Sequence, residues 1–374
     1  MMERLVKPAQ KPANMALQQT AHLPPFGRSV GGPQMAARIV RWSIMIQFLA
    51  DNIDQMDLAL DQLSLRDRNF DRFALMLIDN VVELTLHKHA QDRGTENDMW
   101  ARISSPRHDP KAVASALGQH FEAKVKLAKL TGMLTAEVAD SVQYLHSFRN
   151  TVYHQGVRHE RILHSIALFY FQIACSVVAS YKPMYWSWGS GDKIPHRALK
   201  YIGRTRSADS QTTFAAAWAR LGEVAASMGD ALVADLHEDM KTTIDSADEQ
   251  ISFLAADAPE PRSRDQVVVY CQAWPFAFSD EGKKYAAQNG CAEAMVGGYV
   301  EWMVDHYSWP VKKDPIPSWR KRLASLDAEA NKYIALKKYG DFMRQTEELR
   351  AQLQEAAAQL DARIQEQIDI ARGK

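Results

Sequence analysis

Cysteine is scarce in this chain. Cys175, Cys271 and Cys291 are the only three in 374 residues, and none forms a close pair. That excludes a disulfide framework and a zinc site built on paired cysteines, and fits a reducing, cytoplasmic setting. Net charge is also lacking: 45 Lys and Arg balance 45 Asp and Glu. No global field therefore draws the chain to nucleic acid or to a membrane surface, and any phosphate contact must come from a local patch. Long apolar runs are missing too. The most apolar stretch, residues 166–178, is interrupted by Gln172 and falls short of the roughly 20 residues a membrane span needs. The N-terminus lacks the apolar core of a secretory signal. No glycine-rich phosphate loop, metal-ligand cluster, cofactor motif or internal repeat appears. What remains is an ordinary globular composition, 46% hydrophobic and 24% charged, with length for two or three domains.

Helical periodicity dominates what is present, and the expected fold class is all-α with at most one short strand. Residues 1–34, with Pro8, Pro12, Pro24, Pro25 and Pro33, read as a flexible tail. Residues 35–185 read as a helical bundle. Its first helix, 35–64, alternates apolar positions three and four apart (Ile46, Leu49, Ile53, Met56, Leu60), the pattern of a buried seam. Further helices are expected at about 70–89 and 111–130, separated by a polar loop from Gly94 to Pro110. The helix 160–181 is apolar on nearly every side, as the central member of a bundle is. Residues 190–310 read as mostly helical, with a short strand near Gln266–Phe278 suggested by Val267, Val268, Val269 and Tyr270. After a Pro-rich linker, a long helix from Trp319 to Ala371, with a possible break at Gly340, carries Leu349, Leu353, Leu360, Ile364 and Ile368 on one narrow stripe. That stripe suits a coiled-coil-like contact with itself or with another chain.

The stretch from Phe148 to Gly156 organises the functional reading. Its helix starts at Thr135, a capping residue, with Glu137 in the first turn where the helix dipole favours an acid; Gly156 is placed as its C-terminal stop. Val138, Val142, Leu145 and Val152 mark the buried stripe, and Arg149 falls on that stripe. A charged arginine there needs an anionic partner or an opening in the packing. His146, Asn150 and His154 are spaced by four and stack along an adjacent polar face. Arg149 and His154 are five apart, about 140° around a straight helix. They meet only if the helix loosens near Tyr153 or if two copies of it face each other.

This set suits metal-independent phosphodiester cleavage. A guanidinium holds a phosphate by paired hydrogen bonds and stabilises transition-state charge. A histidine titrating near neutrality moves a proton to or from an RNA 2′-hydroxyl or the leaving oxygen. Asn150 would orient one of them, with His146 and Tyr153 as neighbouring RNA contacts. The alternative is structural: Arg149 paired with a buried acid such as Asp79 or Asp140, and His154 stabilised by the helix C-terminus.

Arg149-Asn150-x-x-x-His154 resembles the R-x4-6-H motif of the HEPN superfamily (higher eukaryotes and prokaryotes nucleotide-binding domain), in which a polar residue often follows the arginine. The resemblance covers residues 35–185. It implies a helical bundle acting as a homodimer, with two motifs meeting at one composite ribonuclease site. Catalytic roles would fall on Arg149, Asn150 and His154. Many such proteins are toxins or phage-defence effectors held by a regulatory partner; others are inactive scaffolds.

Two further patterns stand out. Lys193, Arg197, Lys200, Arg204 and Arg206, with Tyr201 among them and no acid up to Arg206, form a candidate phosphate-backbone surface; a solvated face balancing acids elsewhere is the alternative. His159-Glu160-Arg161-Ile162-Leu163-His164 imitates a zinc-protease motif, but its histidines are five apart and diverge, so it is not read as a metal site.

Overall fold

The computed structural model describes residues 45–155, 160–186, 193–203, 211–257, 261–292 and 295–373, with the side chains of 152–155, 160 and 161 outside that set. The expected tail, the first helix before Met45, the loop with Gly156 and His159, and Arg204 and Arg206 also lie outside it. Among the described residues the fold is all-α, with 14 helices and no strand. They are α1 (Met45–Ser64), α2 (Arg68–Trp100), α3 (Pro110–Ala116), α4 (Phe121–Leu130), α5 (Ala136–Gln155), α6 (Glu160–Ser180), α7 (His196–Ile202), α8 (Gln211–Ser227), α9 (Leu232–Ala256), α10 (Arg264–Phe278), α11 (Asp280–Gln288), α12 (Val296–His306), α13 (Ile316–Asp327) and α14 (Lys332–Ala371).

The apolar helix α6 is the axle. Ile162, Leu163, Ile166, Tyr170 and Phe171 have essentially no exposed surface, and α6 packs against α2, α8 and α9. Burying apolar side chains on every face is the dominant favourable term here, on the order of 1.5–3 kcal/mol for each large residue. Its apolar stretch is longer than residues 166–178 suggest. Ile162–Ser180 is long and apolar enough to cross a membrane by composition, but 78% of that window is buried inside the fold. One continuous core takes in side chains from Met45 to Leu353, so the N-terminal bundle, the central region and the first half of α14 share an interior. A smaller core around Ala273, Ala277, Met303 and Trp309 joins α10 to α12.

Several local expectations change. The strand expected at 266–278 is helix α10. Ser263 and Gln266 form a reciprocal capping box at its start, and Val267 and Val268 turn inward on a helical face; tertiary burial overrides the weak β preference of the valines. The Gly94–Pro110 loop is shorter than expected, because α2 continues to Trp100. The single helix expected at 111–130 is two, α3 and α4. The last helix breaks at 328–331 rather than at Gly340, where Asn331 caps α14 by accepting from Tyr333 N at 2.9 Å. Gly340 serves packing instead: a Cβ there would lie 2.5 Å from Tyr144 Cε2, so the missing side chain lets α14 press against α5.

That contact positions the motif helix. Thr135 caps α5 through Val138 N at 3.3 Å, and Val142 and Leu145 are fully buried. Helix α5 therefore sits between α2, α4, α6 and α14, with His146, Arg149 and Asn150 on one shared face.

Candidate functional site

Asp79 of α2 has no exposed surface. It faces α5 and α6, and three side chains converge on its carboxylate. The Tyr170 hydroxyl donates to Oδ1 at 2.7 Å. Arg149 donates to Oδ2 from Nε at 2.9 Å and from Nη2 at 2.6 Å. His146 Nδ1 lies 3.0 Å from Oδ1 and 3.1 Å from Oδ2. An ionised carboxylate only accepts, so Nδ1 carries the proton. Arg149 Nη1 donates to Asn150 Oδ1 at 2.8 Å. The His146 ring lies flat on Phe121 of α4, with centroids 3.7 Å apart and planes 6° apart.

The electrostatics agree with this geometry. Burial alone would raise the Asp79 carboxyl, but the hydrogen bonds from His146 and the Tyr170 hydroxyl and the charge of the Arg149 guanidinium outweigh it and hold the group below its usual range. Tyr170 is pushed well above the ordinary phenol value, first by burial and then by the Asp79 charge. It stays a neutral donor.

Arg149, Asn150 and His146 also line a cleft of about 1220 Å³ between the start of α4, helix α5 and helix α14. Arg149 keeps 27% of its side chain exposed and His146 keeps 19%. The cleft is mixed in sign. Besides Arg149 it carries Lys337, Arg344 and Arg350 from α14, against Glu83, Glu122, Glu137, Asp140, Asp341 and Glu347. A polyanion would therefore meet its cations at Arg149 and along α14, not on a uniformly basic track.

The fold brings together Arg149, Asn150 and His146, and places the side chains of Tyr153 and His154 outside the described residues. Of the two acids weighed for Arg149, Asp79 is the partner; Asp140 instead meets Lys337 at 3.4 Å and Lys129 at 3.8 Å. Asn150 accepts from the arginine's Nη1. Of the basic segment after residue 192, Arg197 and Lys200 are spent on acids of α1. Arg197 Nη1 lies 2.9 Å from Asp57 and 2.5 Å from Asp61, and Lys200 Nζ lies 2.7 Å from Asp57. Tyr201 donates to Asp57 at 2.6 Å. Lys193 bonds Gln47 through its backbone N–H at 2.8 Å. His164 meets Asp71 through Nδ1 at 2.8 Å, and among the described residues no group of three or more His, Cys, Asp or Glu is placed to hold a metal.

Sequence reasoning missed Tyr170. Its signal is a phenol hydroxyl within the most apolar part of α6, residues 166–171, and a buried hydroxyl needs a partner. The contribution of α14 to the cleft had no sequence signal beyond Gly340 in a helical pattern. No family model, no curated protein and no solved structure matches this chain.

Proposed function

We propose that this protein is a metal-independent endoribonuclease of the HEPN type. The observation that carries the reading is Arg149: a buried carboxylate fixes one edge of its guanidinium, and the side chain lines an open cleft beside Asn150 and His146. Nε, Nη1 and Nη2 each make one bond among the described residues. Among the described residues that leaves two of the five guanidinium N–H donors to receive a phosphate. A pre-oriented cation of this kind stabilises the charge that develops on non-bridging oxygens during transphosphorylation, and needs no reorganisation to do so. Attack by the RNA 2′-hydroxyl leaves a 2′,3′-cyclic phosphate. His154 acts as proton donor or acceptor, Asn150 orients Arg149, and two copies of the chain pair so that both motifs serve one site. By the same resemblance the activity belongs to a toxin or defence effector restrained by a regulatory protein.

The test is cleavage of a mixed RNA pool by the purified chain in EDTA, beside His154→Ala with an unchanged melting temperature. Cleavage lost only in the variant supports the reading.

A second reading follows from the partner of Arg149. A guanidinium held by a fully buried acid also describes a structural ion pair, and the mixed signs of the cleft suit a protein surface. In that reading the bundle is a non-catalytic scaffold. It predicts that Arg149→Ala lowers the melting temperature and changes assembly, and that no RNA is cut by any form.

A further inference from the structure

We propose that His146 is the general base of this cleft and that Asp79 is the residue that positions it. The inference rests on the nuclease reading and goes beyond it, because His146 lies outside the Arg149–His154 motif.

Four observations carry it. His146 Nδ1 is fixed against Asp79, which sets the tautomer: Nδ1 keeps its proton and Nε2 holds the free lone pair. Nε2 makes no hydrogen bond among the described residues. The ring stacks flat on Phe121, a contact that restrains its orientation before a substrate arrives. His146 lines the same cleft as Arg149, one helical turn away on α5. A carboxylate orienting an imidazole beside an oxyanion-stabilising cation is the arrangement that proton abstraction from a hydroxyl needs. All of it comes from one chain, so base and guanidinium meet without the second copy that the family resemblance implies for Arg149 and His154.

The step balances as follows. Nε2 of neutral His146 takes the proton of the RNA 2′-hydroxyl. The 2′ oxygen forms a bond to phosphorus, the bond from phosphorus to the 5′ oxygen breaks, and that oxygen takes its proton from His154, the donor of the proposed reaction. The imidazolium formed is stabilised by the ionised Asp79 carboxylate, which does not itself become protonated. Arg149 faces the non-bridging oxygens.

The experiment uses the full chain and a defined RNA in EDTA, with His146→Ala and His146→Phe, each checked for an unchanged melting temperature. Phenylalanine keeps a flat ring against Phe121 and removes the nitrogen. Both variants are expected to cleave at least about 100-fold more slowly. Imidazole added to the solution should restore part of the rate in His146→Ala, where it can fill the space left, and none in His146→Phe. Wild-type-like cleavage by His146→Phe, or a loss in His146→Ala that imidazole does not touch, overturns the proposal while the nuclease reading stands. Absence of cleavage by the wild-type chain overturns both.

Discussion

Asp79 and Asp57 are built alike. Each has almost no exposed surface, and each accepts a tyrosine hydroxyl, Tyr170 in one case and Tyr201 in the other. Each holds two nitrogen-bearing side chains besides: His146 and Arg149 at Asp79, Arg197 and Lys200 at Asp57. In both, burial would raise the carboxyl, and the bonds it accepts hold it low instead. The difference lies in what the cations face. Arg197 and Lys200 are 34% and 51% exposed, Arg197 also meets the exposed Asp61, and neither lines the 1220 Å³ cleft. His146 and Arg149 are more enclosed and line the 1220 Å³ cleft. A buried aspartate thus fastens the fold at one end, and at the other also aims its partners at a space a substrate can enter.

Removing the carboxylates should separate the two clusters most strongly. Asp79→Ala leaves Arg149 and a fully buried tyrosine hydroxyl unpaired, and should cost about 3 kcal/mol in urea unfolding, the low end for breaking a buried pair because Arg149 and His146 still reach water. Asp57→Ala should cost about 1–2 kcal/mol, since its cations are solvated and screened. Equal losses would mean the clusters are energetically equivalent.

The acid limb of stability gives a second comparison. Both carboxyls are depressed in the fold. Their contribution is therefore present above the unfolded carboxylate value, about pH 4, and is lost as pH falls through the lower folded value. Asp79→Asn should flatten the loss of stability between about pH 5 and pH 2 more than Asp57→Asn does. The check is a set of melting temperatures across that range.

Gly340 tests how α14 is held against the motif helix. Gly340→Leu forces atoms into the Tyr144 ring, where even a Cβ would sit at 2.5 Å, and should destabilise by about 1–3 kcal/mol. Adding Tyr144→Ala should recover part of that loss; simple additivity would show that the two helices do not meet there. The smallest effect is expected at Ile370, which is 69% exposed near the end of α14. Ile370→Asp should stay within about 0.5 kcal/mol of the parent.

Much of the architecture was legible because burial writes periodicity into sequence. The stripe Val142, Leu145 and Arg149 located the motif helix, and an all-round apolar pattern located α6. The anionic partner of Arg149 was narrowed to Asp79 or Asp140 because a charge on a buried stripe must be answered. The errors share one cause, since they depend on contacts between elements distant in sequence. Val267–Val269 looked like strand because nothing local records that α10 packs into a helical interior. Arg197 and Lys200 looked like an RNA surface because their acids, Asp57 and Asp61, lie about 140 residues earlier. The cleft itself needs α14 to return to α5, and only a glycine hints at that approach.

The central claim is that an arginine fixed by Asp79 stabilises attack by an RNA 2′-hydroxyl. The most direct measurement compares cleavage, in EDTA, of one RNA and of its all-deoxy counterpart by the full chain and by Arg149→Gln. The account predicts RNA fragments ending in 2′,3′-cyclic phosphate, intact DNA, and a rate at least about 100-fold lower in the variant. Equal cleavage of DNA, or wild-type activity in a folded Arg149→Gln, would contradict it.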